Sequence, residues 1–179
     1  MRSNRWGSLV AALMLATAVS AHEDDKESAA APEDLDAEQL AVVETLNAYA
    51  AAMQAVDLDA IAEVVVADDS FTYYEGTHLD MGWDSYRDHM APEMALFQDT
   101  RYRFFNIRPN VFGDAAYATL DFAMDVTVIS DQFEGGKHPV SMKGIGTVVL
   151  ERQDGAWKIR HLHTVTKASE AASSDQSAH

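Results

Sequence analysis

Four long segments in the second half of the chain have the composition and spacing of β-strands, and they constrain the fold more than any other feature. The segments are residues 102–111, 116–129, 141–152 and 157–166. Turn sequences separate them, namely Gly113-Asp114, Glu134-Gly135-Gly136-Lys137 and Asp154-Gly155. Because strands joined by short connections run antiparallel, this half of the chain predicts an antiparallel sheet.

The first half of the chain predicts helices. Apolar residues recur at helical spacing from Leu40 to Met53 in an Ala-rich run, which predicts a long first helix. Asp57 is a candidate N-cap for a short second helix. A third helix is predicted to start at Asp80 or Gly82 and to kink or break at Pro92, since proline lacks the N–H that continues a helix.

A short strand is predicted between the second and third helices, over Ser70–Glu75, where β-branched and aromatic residues are frequent. Helices followed by a run of antiparallel strands are typical of an α+β domain. We therefore expect three helices packed on one face of a strongly curved, mostly antiparallel sheet.

Residues 1–21 have the three parts of a secretory signal peptide. Arg2 and Arg5 supply the positive start, Leu9–Val19 the apolar stretch, and Val19-Ser20-Ala21 the small residues of a cleavage site. The apolar stretch is shorter than the roughly 20 residues that span a bilayer, which argues against a membrane anchor. The sequence predicts cleavage after Ala21 and a periplasmic or secreted protein.

The remaining chain divides into three parts. Residues 22–37 are mostly Ala, Pro, Asp, Glu and Ser and offer little to bury, so they predict an acidic disordered linker. Residues 168–179 predict a disordered tail for the same reason. Between them, residues 38–167 have a length typical of one domain.

The charge and the lack of cysteine narrow the function classes. The net charge is −16, and it becomes −18 without residues 1–21, which hold two arginines and no acidic residue. Such a chain repels nucleic-acid phosphates and anionic membrane surfaces, which argues against both as partners. Without cysteine the chain forms no disulfide and carries no lipoprotein anchor, so its stability must come from core packing.

Short motifs occur in an order that resembles a known superfamily. They are Leu46-Asn47-Ala48-Tyr49, Asp57-Leu58-Asp59-Ala60-Ile61, Ala67-Asp68-Asp69 and the closing segment Asp154–His163. Together with the order helix, helix, strand, helix and long antiparallel strands, they resemble the SnoaL-like and nuclear-transport-factor-like cone fold, which also contains ketosteroid isomerase. The resemblance covers nearly all of residues 38–167.

The resemblance implies a cone-shaped cavity between sheet and helices, and often a homodimer formed through the sheet's other face. It implies no single activity, because this fold hosts isomerases, cyclases, dehydratases, hydrolases and non-catalytic modules. Of the three groups that ketosteroid isomerases use, Tyr49 matches the tyrosine. Tyr74 falls at the position of the base, and Thr147 falls near that of the acid. We therefore do not expect steroid isomerase activity.

His161 and His163 are the first catalytic candidates. Residues two apart on a strand share a face. Three apolar residues of the last strand have the same parity, namely Trp157, Ile159 and Val165. Both imidazoles are therefore predicted to face into the cone, where they would exchange protons near neutral pH. The alternative is a pair of hydrogen-bonded structural histidines.

Glu75 and Tyr49 complete the predicted catalytic set. Glu75 follows Tyr74 on the short strand, so it acts as a base only if Glu75 rather than Tyr74 faces inward. Aromatic and thioether side chains suit a mostly apolar ligand. The predicted ligand-binding residues are His89, Tyr73, Trp83, Tyr86, Phe105 and Met124.

Three functions remain open at this point, and the sequence does not decide whether the domain is an enzyme. The first is an exported small-molecule-binding domain that, as an enzyme, would be an isomerase, dehydratase or cyclase. The second is a non-catalytic periplasmic binding or dimerisation module. The third is a metal binder in which His161 and His163 join a third ligand such as His89, His78 or Glu75.

Sequence motifs of common cofactor and metal sites are absent. The chain has no Gly-rich phosphate loop, no nucleophile elbow, no zinc-protease histidine pair and no calcium loop. We therefore predict no cofactor and assign no metal ligand from the sequence.

Overall fold

The computed structural model describes residues 35–167. The predicted signal peptide, nearly all of the predicted linker and the predicted tail lie outside these residues. In chain order the elements are α1 (Ala37–Ala55), α2 (Leu58–Ala62), β1 (Thr72–Glu75), β2 (His78–Met81), α3 (Trp83–Met94), β3 (Phe97–Phe112), β4 (Ala115–Ile129), β5 (Lys137–Gln153) and β6 (Ala156–Thr166). A short 3-10 turn at Glu134–Gly136 precedes β5.

Side-chain caps begin the first two helices. The Asp36 carboxylate accepts the backbone N–H of Gln39, and the Gln39 side chain accepts that of Asp36. These two bonds satisfy donors that the start of α1 leaves unpaired. Asp57 accepts the backbone N–H of Ala60 at the start of α2, which confirms the predicted N-cap.

The six strands form one curled sheet in the order β2-β1-β6-β5-β4-β3. All neighbours are antiparallel except β1 and β6, which run parallel. We call the face that packs against α1 the inner face and the opposite one the outer face. The sheet curls around the helices without closing. The expected α+β architecture is therefore confirmed, with helices on one face of a curved, mostly antiparallel sheet.

A β-bulge at Arg160 interrupts the alternation of β6. Ile159 lies opposite Leu150 and His161 opposite Val149, so Arg160 has no partner residue on β5. Ile159 and Leu162 are both buried, although they are three positions apart, an odd spacing that would put them on opposite faces of a regular strand. One extra residue shifts the side-chain parity by one position. The bulge also marks a change of neighbour, because Ile159 pairs with Val65 and the residues after the bulge pair with β1.

Two local predictions are corrected. Helix α3 continues through Pro92 to Met94. Proline there removes only the bond to the carbonyl of Asp88, close to the helix end, where the loss is small. The alternative start of the third helix at Asp80 is also wrong, because His78–Met81 is strand β2, which pairs with β1 in a hairpin.

Within residues 35–167, no helix combines the length and apolar character that crossing a membrane requires.

Candidate functional site

The β1–β2 hairpin presents acidic and histidine side chains on the inner face of the sheet. Tyr73 pairs with Asp80, and Glu75 pairs with His78. Directly paired residues of antiparallel strands point to the same face. Since Tyr73 and Asp80 are buried, Glu75 and His78 lie on the inner face too, and Tyr74 lies on the outer face. The condition for Glu75 to serve as a base is therefore met.

Helix α3 brings His89 and Glu93 to the same place. They are four positions apart, so they share one helix face. The helix starts directly after Gly82, whose φ of 89° is a conformation that favours glycine. The turn at Gly82 places α3 against the hairpin. We call the resulting group the hairpin–helix cluster; it consists of Glu75, His78, Asp80, His89 and Glu93.

Asp80 is the central residue of the cluster and only 2% of it is exposed. Its Oδ2 lies 2.7 Å from His89 Nδ1, and its Oδ1 accepts the Ser85 hydroxyl at 2.9 Å. His78 Nε2 lies 3.4 Å from the same Oδ1. A buried carboxylate is costly unless it is hydrogen-bonded. These contacts therefore stabilise Asp80 and fasten α3 to the hairpin.

Two carboxylates surround the His89 imidazole. Its Nε2 lies 3.5 Å from Glu93, and its side chain is 9% exposed. The pKa of His89 is raised to about 9, by the interactions with Glu93 and with Asp80 and against an opposing loss of solvation. Asp80 makes the shorter contact and is the more buried acid, so it fixes the ring orientation. His89 is thus an imidazolium at neutral pH in the metal-free chain.

Glu75 lies within electrostatic range of the whole cluster. Burial among protein atoms raises its pKa, and the carboxylates of Glu93 and Asp80 add to the rise, while His89 and His78 oppose it. The residue itself is still exposed at the end of β1, so water moderates the shift. Glu75 is therefore a more basic carboxylate than a fully solvated one.

A layer of buried tyrosines lies next to Glu75. The hydroxyls of Tyr49 and Tyr86 are 2.9 Å apart, and the rings of Tyr73 and Tyr86 are 5.0 Å apart. Burial is the largest cause that raises the pKa of Tyr49, Tyr73 and Tyr86, and the negative charge of Glu75 contributes in each case. These phenols therefore stay protonated at physiological pH.

The structure places the predicted ligand-binding residues in several different surroundings. Tyr73, Tyr86 and Met124 face inward but are buried in the core, as is the predicted catalytic Tyr49. Trp83 is half-buried and packs edge-on against Phe71, and His89 belongs to the cluster.

Phe105 does not face inward, so this part of the prediction is wrong. It pairs with Asp121 on the outer side of β4, and the Arg103 guanidinium lies 4.6 Å from its ring centroid. Its neighbour Phe104 is the inward residue and stacks on Tyr49.

His161 and His163 also lie on the outer face, so the predicted orientation of this pair is wrong. The bulge at Arg160 reverses their parity relative to Ile159. His161 Nδ1 lies 2.7 Å from the Thr72 hydroxyl, and the ring of Tyr74 packs against both imidazoles. Burial lowers the pKa of His161, and His163 lowers it further.

Two open clefts lie away from the hairpin–helix cluster. One, of about 570 Å³, is lined by Ala67, Asp68, Asp69, Ser70, Trp83 and Asp84. The other, of about 360 Å³, is on the outer face beside Ile145 and His163. Their linings contain carboxylates and, in the second, His163, but neither has an imidazole in contact with a carboxylate as the cluster does. We therefore place the candidate site at the cluster and not at the larger of these two clefts.

Sequence reasoning missed Asp80 and Glu93 as site residues. Their spacing carries a signal, because His78 and Asp80 share a strand face at i, i+2 and His89 and Glu93 share a helix face at i, i+4. The spacing of His78 and Asp80 is informative only if residues 78–81 form a strand, and the sequence did not predict that strand.

The curled sheet, the three helices and the inward-facing cluster define a cone-fold domain of the NTF2-like class. The chain belongs to the SnoaL-like domain family, whose pattern it matches over residues 42–165. No curated protein sequence matches the chain.

Solved structures share the fold at low sequence identity. An NTF2-like superfamily protein from Salmonella enterica serovar Typhimurium LT2 is 15% identical, with a TM-score of 0.65 over 75% of this chain and 94% of that one. A proposed dehydratase of the NTF2-like family from Streptomyces avermitilis is 16% identical, with a TM-score of 0.60 over 74% and 97%. A hexachlorocyclohexane dehydrochlorinase (LinA type 2) is 18% identical, with a TM-score of 0.61 over 73% and 86%.

Proposed function

We propose that this chain is an exported SnoaL-like domain that binds a small, partly apolar molecule at the hairpin–helix cluster and transfers a proton through Glu75. The position of Glu75 is the observation that supports this most. It is an inward carboxylate with a raised pKa, next to the His89 imidazolium and the tyrosine layer. A base whose pKa approaches the working pH transfers protons more effectively.

The chemistry that fits these groups is elimination or isomerisation. Glu75 removes a proton from a carbon next to an electron-withdrawing group, and the C–H electron pair forms a C=C bond. In an elimination the leaving group departs with its own electron pair; in an isomerisation the proton returns to another carbon. The positive charge at His89 stabilises the negative charge that develops.

Two further observations favour this class of reaction. Tyr102, half-buried on β3, lies within electrostatic range of Glu75 and offers an aromatic surface to an apolar ligand. The names of two structural neighbours, a dehydratase and a dehydrochlorinase, describe eliminations of water and of hydrogen chloride.

Exchange of substrate C–H protons in deuterated water tests the proposal. The mature chain is screened with small cyclic ketones, alcohols and halides by thermal shift, and the ligands that bind are then followed by NMR. Glu75→Gln keeps the size of the side chain but removes the base, so we expect binding without exchange. Tyr74→Phe, one residue away on the outer face, is the matched control and should exchange like the wild type.

A second candidate is a non-catalytic binding module, favoured by the filled interior. Tyr49, Tyr86 and Phe71 are almost fully buried and contact one another through the Tyr49–Tyr86 hydrogen bond and the Phe71–Tyr86 ring contact, so large side chains fill this part of the interior. If ligands bind without exchange in the wild type, this candidate replaces the first.

Export and dimerisation through the outer face are part of the proposal. Intact-mass analysis of the protein from a periplasmic fraction tests cleavage after Ala21. A mass that retains residues 1–21 would contradict it.

A further inference from the structure

Three cluster residues offer metal-ligating atoms that converge. His78, Asp80 and His89 each provide one donor atom, and these atoms all lie within 4.8 Å of one another. They come from β2 and α3, two elements that Asp80 fastens together, so their arrangement is built into the backbone. Side chains held on rigid elements keep a site geometry better than side chains on loops.

We propose that His78, Asp80 and His89 bind one divalent transition-metal ion on the inner side of the hairpin, with Glu93 accepting the Nε2–H of His89 at 3.5 Å and so orienting that ligand. Ligands of Zn²⁺ lie about 2.0–2.1 Å from the ion, which puts the atoms of a tetrahedral set about 3.3 Å apart. The 3.4 Å between His78 Nε2 and Asp80 Oδ1 matches that spacing. The 2.7 Å between His89 Nδ1 and Asp80 Oδ2 is a hydrogen bond, which would lengthen by about 0.6 Å as the ion replaces the shared proton. His78 is 52% exposed and has room to rotate toward the ion.

The donor set selects the class of metal. Two imidazoles and one carboxylate suit Zn²⁺, Cu²⁺, Ni²⁺ or Co²⁺. Ca²⁺ and Mg²⁺ prefer oxygen ligands and would find only the carboxylates of the cluster. Zn²⁺ is therefore the appropriate probe, and Mg²⁺ is a negative control.

The surroundings also favour a cation. Three carboxylates, those of Glu75, Asp80 and Glu93, face two imidazoles in this small volume. Ser85 donates to Asp80 Oδ1 at 2.9 Å and would orient that ligand. Hydrogen-bonded partners of this kind typically contribute ten- to a hundredfold to metal affinity.

Metal binding goes beyond the proposed proton transfer and does not depend on it. A bound ion would replace the proton shared by Asp80 and His89 as the positive charge beside Glu75. The titration uses no organic ligand, so failure of metal binding leaves the role of Glu75 standing, and the reverse also holds.

Calorimetric titration of the untagged, chelator-treated mature chain with Zn²⁺ tests the site. We expect one ion per chain, no response to Mg²⁺, and at least a tenfold lower affinity in His78→Ala, since a lost ligand costs no less than a lost partner of a ligand. His78 is exposed, so this variant should fold. The matched control is the double variant His161→Ala, His163→Ala on the outer face, which should bind Zn²⁺ like the wild type.

Co²⁺ provides a second readout, because its visible absorption is intense in tetrahedral sites. That absorption should be present in the wild type and in the outer-face double variant, and lost in His78→Ala. No Zn²⁺ binding, unchanged affinity in His78→Ala, or loss of binding in the outer-face variant would each overturn the proposal.

Discussion

Two histidines lie on opposite sides of one sheet, and their hydrogen-bond partners give them opposite properties. We call His89 with Asp80 the inner pair and His161 with Thr72 the outer pair. His89 Nδ1 contacts the Asp80 carboxylate at 2.7 Å, and His161 Nδ1 contacts the Thr72 hydroxyl at the same 2.7 Å. Yet the pKa of His89 is raised to about 9, while that of His161 is lowered. The charge of the partner, and not the length of the contact, decides which imidazole carries a proton at neutral pH.

Removal of the inner partner should produce the largest effect. Asp80→Ala leaves the His89 imidazolium with Glu93, 3.5 Å from its Nε2, as the one remaining carboxylate of the two. Breaking a buried pair of this kind costs about 3 kcal/mol of unfolding free energy. The equivalent change at the outer pair, Thr72→Val, removes one neutral hydrogen bond and should cost about 1 kcal/mol or less. Urea unfolding followed by circular dichroism, with chelator present, compares the two. Equal losses would contradict the contrast between the faces.

Loss of the proton from His89 should lower the free energy of unfolding as the pH rises above neutral. A group whose pKa is higher in the folded state stabilises the fold below its unfolded pKa, and this stability is lost as the pH rises through the folded pKa. For His89 the window runs from 6.5 to about 9. Relative to His89→Gln, the chelator-treated wild type should lose on the order of 1–2 kcal/mol across this window, allowing for solvent screening. Parallel pH curves for the two proteins would show that His89 is not charged.

The outer pair should act on the acid side, with a smaller effect. The folded pKa of His161 is lowered from 6.5, so the unfolded chain takes up a proton first as the pH falls, and the fold loses stability. His161→Gln should therefore lose less stability than the wild type between neutral pH and pH 5. A two-dimensional NMR titration should also show a midpoint for His161 below 6.5, the ordinary pKa of histidine. A His161 midpoint above 6.5 would contradict the lowered pKa.

The smallest expected effect on the single chain concerns the outer face as an interface. Ile145, 50% exposed beside His163, should be covered in a homodimer formed through this face. Ile145→Glu should leave the unfolding of the monomer nearly unchanged but shift the mass measured by light scattering from dimer to monomer. Gln98→Glu, an exposed change on the edge strand β3, is the control. If both variants keep the wild-type mass, the outer face is not the interface.

Most of the fold could be predicted because its signals are local. Alternation located β3 to β6 to within a few residues, apart from the earlier start of β3 at Phe97 and of β5 at Lys137, and Asp57 marked the start of α2. Strand β2 could not be found in this way, because four residues are too few to show a period. Its pairing with β1 is a tertiary contact.

The candidate site was less predictable because it depends on single-residue shifts. One extra residue at Arg160 moves His161 and His163 to the outer face, and nothing in the composition of β6 marks that position. Asn106 on β3 does offer a signal for the register shift between Phe105 and Arg108. Its φ of 52° is a conformation that asparagine tolerates better than most residues. Alternation from Tyr102 also indicates Phe104, and not Phe105, as the inward ring.

The parallel pairing of β1 with β6 affects the order in which the molecule folds. Glu75 lies opposite Thr164, so the strand that positions this carboxylate has no neighbour on that side until the last strand has been synthesised. Contacts between residues so distant in the chain form slowly, because a long loop must close first. We therefore expect the pairing that holds Glu75 against β6 to form late in folding. If the chain is exported as we propose, this delay would help to keep it unfolded until it has crossed the membrane.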